Sequence, residues 1–72
     1  MIVRGIGQYV SILVDSRADN VGEVSHEVEE LGLEGGEMVF FAPSDIYFKD
    51  IEDEHMYVMV RPQDIYGVVT DE

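Results

Sequence analysis

GGEMVFFAPSDIYFKDIEDEHMYVMVRPQDIYGVV, residues 35–69, is the stretch whose reading decides the fold. Glu37–Ala42 is a short, largely apolar strand stopped by Pro43. Asp45–Lys49 is a second strand, and the acidic turn Asp50–Glu54 follows it. In His55–Arg61, Met56, Val58 and Val60 alternate with His55, Tyr57 and Met59, the period of a half-buried strand. Pro62 interrupts that run, because proline cannot donate to a ladder. Pro62–Asp64 then reads as a tight or single-turn helical corner, and Ile65–Val69 as the closing strand.

Working outward, Gln8–Val14 is rich in β-branched and aromatic residues and ends in the turn-prone DSRADN, residues 15–20. Val21–Val28 alternates, with Val24, His26 and Val28 on one face and Glu23, Ser25 and Glu27 on the other. A short helix over Val24–Leu33 is the competing reading, since Val24, Val28 and Leu31 are also spaced four and three apart. Gly32 and the β-branched residues favour strand and loop, with Gly32, Gly35 and Gly36 open to positive φ. Five to six short strands joined by short turns predict an all-β, partly closed small barrel. Its expected core is Val10, Ile12, Val14, Val24, Val39, Phe41, Ile46, Val58, Val60, Ile65 and Val68.

Seventy-two residues imply one domain, 1–72. A chain this short buries only about 60% of the surface its unfolded form exposes, so oligomerisation is one expected source of extra burial. There is no cysteine, which excludes disulfides and thiolate metal sites. No apolar run approaches the roughly 20 residues of a membrane span. MIVRGIGQYV, residues 1–10, lacks a basic region followed by an apolar core, so no signal peptide is read and a cytoplasmic location is expected.

Sixteen Asp and Glu against four Lys and Arg give a formal charge of −12, while 46% hydrophobic residues argue against disorder. Such a domain repels nucleic acid and anionic membranes, so neither is an expected partner. The acidity serves solubility or a high-salt habitat, or else it recognises a basic protein surface. The candidate partner-binding residues are two clusters: Glu27, Glu29, Glu30, Glu34 and Glu37, and Asp50, Glu52, Asp53 and Glu54. Whether the two loops share a face is open in the sequence.

Catalytic patterns are absent. His26 falls on an apolar face and His55 beside the acidic turn, each read as a structural histidine. Ser11, Ser16, Ser25 and Ser44 lack a nucleophile motif. Gly5-Ile6-Gly7 lacks the rest of a dinucleotide fingerprint. Asp50–Glu54 does not follow the spacing of a calcium loop. No enzyme, metal or cofactor is therefore expected. Seven aromatic rings without a basic groove do not make a nucleic-acid stacking platform. Phe40 and Phe41 are adjacent and so face opposite ways, one into the core and one toward an apolar contact.

The order of elements resembles the chaperonin-10 family, the GroES-type co-chaperonins. That family carries a V-x-x-G-D-x-V-x-F strand, a hairpin strand, an acidic turn, a Y-x-x-x-R-E-x-D-I element and a closing strand. Leu33, Gly36, Glu37, Val39 and Phe41 match the first. Asp53 and Glu54 match the turn, then Tyr57, Arg61, Asp64 and Ile65, with Val68 and Val69 closing. VRGIGQYVSILV and Gly22, Val24 and Val28 are looser matches to the family's earlier strands. The resemblance implies a GroES-like barrel and a co-chaperonin-like, ring-forming protein that binds a chaperonin. The family's long docking loop, with its apolar anchor, is replaced here by DSRADN, and the roof hairpin by EELGLEGG. If chaperonin docking persists, it falls to Met1–Ile6 or to the ELGL segment, residues 30–33. Reduced host folds of this kind imply a phage-encoded protein acting in the host cytoplasm. The alternative is an acidic phage-type inhibitor that mimics nucleic-acid charge and blocks RNA polymerase or a DNA-binding protein.

Overall fold

The computed structural model describes residues 3–16, 18–52 and 54–70. The chain is all-β: β1 (Val10–Val14), β2 (Val21–Val24), β3 (Met38–Phe41), β4 (Tyr47–Lys49), β5 (Met56–Val60) and β6 (Ile65–Val68). Two 3-10 turns, Glu29–Leu31 and Pro62–Asp64, complete the elements. All strands join one antiparallel sheet in the order β4-β5-β1-β2-β3-β6.

This order forces the sheet to curl. β5 and β6 are separated by three strands, yet only residues 61–64 connect them. In a flat sheet the two strands would lie about 19 Å apart, at roughly 4.8 Å per spacing. Five Cα steps reach at most about 18 Å fully extended, and the Pro62–Asp64 turn shortens them further. The sheet therefore wraps on itself, giving a radius of gyration of 11.1 Å. No pairing links β4 to β6, so the barrel stays open along that seam.

Register then selects the core. Antiparallel partners share a face, and the pairs Ile12↔Val24, Ile12↔Val58, Val10↔Val60 and Val39↔Val68 define the concave one. Val10, Ile12, Val14, Val24, Leu33, Val39, Phe41, Val58 and Val60 form the buried cluster, with Val28, Met56 and Ile65 packed against it. In β2, Gly22 faces this side because a Cβ there would lie 2.6 Å from both the Ile12 Cγ2 and the Leu13 carbonyl oxygen.

Two expected core residues are exposed, and a third, Ile65, is only partly buried. Ile46 is 48% exposed, because Tyr47 is the residue registered with Val58 and Ile46 falls on the opposite face. Val68 faces inward but sits on the open edge and stays 42% exposed. Leu33, read as part of a turn, is in the core instead, since a β-bridge with Val28 folds it back over the sheet. The strand expected over Val21–Val28 ends at Val24. The chain then makes one 3-10 turn with Gly32 at φ 68°, so the competing helical reading holds for three residues only.

The Ser25 hydroxyl lies 2.6 Å from the Val3 carbonyl oxygen and 3.0 Å from that of Ser11, tying the chain's start to β1. Ser11 itself is fully buried, and its hydroxyl has no partner among the described residues. Phe41→Ala should cost about 3–5 kcal/mol by the combined loss of burial and a residual cavity. Ile46→Ala should stay within about 1 kcal/mol. Urea unfolding followed by circular dichroism reads both, and equal losses would place Ile46 in the core.

Candidate functional site

The β2–β3 loop, residues 25–37, carries the first acidic cluster. Glu27, Glu29, Glu30 and Glu34 are exposed. The loop is not slack. Val28 N–H donates to the Leu33 carbonyl at 2.8 Å, and Leu33 N–H returns a bond to the Val28 carbonyl at 3.0 Å. Glu37 is half-buried and turns back, its carboxylate accepting the Glu34 N–H at 2.8 Å. Gly36, at φ 96°, permits that turn. Glu37 thus closes the loop that displays the other four.

The second cluster divides. Asp53 lies outside the described residues. Glu52 and Glu54 are exposed. Asp50 was expected on the acidic surface but is buried, at 7% exposure. Its Oδ1 accepts the Glu52 N–H at 3.1 Å, and its own N–H donates to the His55 carbonyl at 2.8 Å. A short carboxylate that bonds its own backbone two residues on builds the turn and is drawn off the surface. Glu54 occupies φ 60°, a left-handed conformation that favours glycine.

The register settles whether the two clusters meet. Val14↔Met56 places the β4–β5 turn beside the end of β1 that leads into residues 15–20. Ile12↔Val24 sends the β2–β3 loop past the other end. The five residues of β1 span about 14 Å from first to last, well beyond the Debye length of about 8 Å at physiological salt. The clusters are two separate negative surfaces.

Beside the β2–β3 loop a cleft of about 270 Å³ is lined by Arg4, Tyr9, His26, Glu27, Glu29 and Glu30 among others. His26 Nδ1 lies 2.8 Å from the Glu27 carbonyl oxygen, which can only accept, so Nδ1 carries the proton. His26 Nε2 is buried without a partner among the described residues. Among the described residues no group of three or more His, Asp or Glu converges in a way that could hold a metal ion. None of the described helices is long and apolar enough to cross a membrane.

The aromatic pair separates as the alternation requires. Phe41 is 2% exposed and belongs to the core, so it offers no contact surface. Phe40 is 40% exposed, and a Cβ on its registered partner Gly67 would lie 2.6 Å from the Phe40 ring. Tyr66 stands 6.4 Å away in a tilted arrangement. Sequence reasoning missed that Leu31 and Leu33 adjoin this edge, lining with Ile65, Tyr66 and Val68 a cleft of about 160 Å³. The signal was present in ELGL, where two leucines interrupt a run of carboxylates.

Asp19 braces the backbone that leaves β1. The Asp19 carboxylate accepts N–H bonds from Asp15 and Ser16 at 3.2 and 3.0 Å. Of the alternative docking segments, Met1 and Ile2 lie outside the described residues, and Ile6 is 88% exposed. No protein-family model, curated protein or solved structure matches this chain.

Asp50→Ala should destabilise by about 1–2 kcal/mol, since it removes a buried acceptor from a turn. Glu54→Gly should be neutral to stabilising by up to about 1 kcal/mol, by relief of the left-handed backbone. Thermal unfolding reads both shifts. An Asp50→Ala protein as stable as the parent would return that carboxylate to the surface set.

Proposed function

We propose that this protein is a non-catalytic, strongly acidic protein-binding module. Its order of strands resembles a reduced co-chaperonin, and it binds or modulates a macromolecular machine such as a chaperonin. The observation that carries the binding role is the β2–β3 loop, where Glu27, Glu29, Glu30 and Glu34 stand exposed on a backbone closed by its own hydrogen bonds. Carboxylates on an ordered backbone leave less chain to be ordered on meeting Lys or Arg, and opposite charge speeds the encounter. Among the described residues, twelve large apolar side chains are exposed against ten buried, which adds apolar surface for a partner to cover.

One observation favours the second reading, an acidic inhibitor that occupies a basic surface of RNA polymerase or of a DNA-binding protein. Asp19 braces the backbone of Asp15 and Ser16 as the chain leaves β1, and DSRADN holds no apolar anchor for a chaperonin. A chaperonin refolding assay separates the two. The turn geometry predicts no stimulation where a complete co-chaperonin works, and stimulation would assign docking to the ELGL segment or the chain's start.

Both readings share one test. Glu29→Lys, Glu30→Lys and Glu34→Lys together should slow association with the captured partner far more than dissociation, leaving the β spectrum unchanged. Binding should also weaken as salt rises. Partner binding that ignores both the salt and the reversals would move the site to the apolar face around Phe40.

A further inference from the structure

We propose that the open edge of β6, together with the cleft under Leu31 and Leu33, receives an extended segment of the partner protein as an added strand. This segment is apolar at every second position and carries Lys or Arg where it passes the β2–β3 loop. The proposal rests on the reading above that the partner is basic, and it adds the mode of docking.

β6 pairs with β3 on one side only. Val69 N–H donates to the Met38 carbonyl at 2.8 Å, which assigns Val69 to the bonded set of the ladder. Polar groups alternate along a strand, so the N–H and C=O of Val68, registered with Val39, point to the free side. Natural sheets guard such edges with charge, proline or shortness. The opposite edge, β4, has three residues and ends on Lys49. β6 is also short, at four residues, but Ile65–Thr70 contains neither a charge nor a proline.

Beside this edge the cleft of about 160 Å³ offers apolar walls from Leu31, Leu33, Ile65, Tyr66 and Val68. Alternate side chains of an added strand would fill it, while main-chain bonds to Val68 fix the register. Charge selects the occupant. Glu30 adjoins Leu31 and Glu34 adjoins Leu33, and both are exposed. A second copy of a chain with net charge −12 would bring like charge to this rim, whereas a basic strand brings the opposite.

The probe is an acetylated hexapeptide, Val-Lys-Val-Lys-Val-Lys, titrated into the labelled protein at physiological salt and followed by amide NMR. A Pro-Lys hexapeptide of equal charge, which cannot extend a ladder, is the control. The expected result is tighter binding of the Val-Lys peptide, shifts at Leu31–Leu33 and Tyr66–Val69, and slowed exchange of the Val68 amide. Val68→Pro should weaken that binding about tenfold by loss of an edge hydrogen bond, since proline is tolerated where an edge N–H faces solvent. Leu31→Asp, on an exposed position, serves the same purpose should the proline variant not fold.

Equal binding of both peptides, with shifts confined to Glu27–Glu37, would overturn the strand-addition proposal and leave the charge reading standing. Absence of binding by either peptide would overturn both. Shifts at Tyr66–Val69 that depend on protein concentration without peptide would give the edge to a second copy and overturn the proposal.

Discussion

Residues 61–64 must carry the chain from one side of a six-stranded sheet to the other, and they are too few to do so across a flat surface. That shortage of chain shapes the molecule. Curling turns one face of a single sheet inward, so Ile12, Val24, Val39 and Val58 can meet without a second layer. It also sets what stays outside. On the convex face Phe40 is left largely to solvent, and among the described residues the seam between β4 and β6 remains unpaired. Pro62 supplies a backbone already fixed near the φ that a helical turn needs, so little further ordering is required to hold the link short.

Much of this was legible in the residues. Val10, Ile12 and Val14, and again Met56, Val58 and Val60, alternate with period two, and both strands bury the expected face. The inward direction of Asp45–Lys49 was not legible, because Ile46 and Phe48 compete with Tyr47 as apolar candidates and only pairing with β5 decides. Leu33 was hidden by its glycine neighbours, which mark a turn correctly while concealing that the turn folds back onto the sheet. Of the three loop glycines read as open to positive φ, Gly32 and Gly36 take it and Gly35 does not, which fixes where the chain reverses. Tyr57 lies on the convex side, yet Phe48 and His55 cover it, a shielding no periodicity encodes.

The carboxylates show how composition misleads about surfaces. Counted along the chain, the acidic residues form two comparable clusters. In three dimensions Asp50 and Glu37 bond their own backbones and leave the display to their neighbours. Those that stay exposed leave opposite ends of β1, so neither end reinforces the other through salt water. The apolar cleft beside β6 adjoins only the loop bearing Glu29, Glu30 and Glu34, which makes that end chemically distinct.

The central strand carries a further consequence, for the way the chain acquires its fold. β1 is made early, and one of its two partners is β5, with Val10 opposite Val60 and Val14 opposite Met56. Contacts between such distant positions close slowly, because the loop entropy is spent before the contacts form. During synthesis, the segment through β3 can form only a three-stranded meander with one flank of β1 uncovered. Ile12 and Val14 then wait for the last third of the chain, and an exposed apolar flank of this kind is prone to pairing with the wrong strand. β1 and β5 are thus locked in one cooperative event, completed when β5 slots beside a strand made well before it.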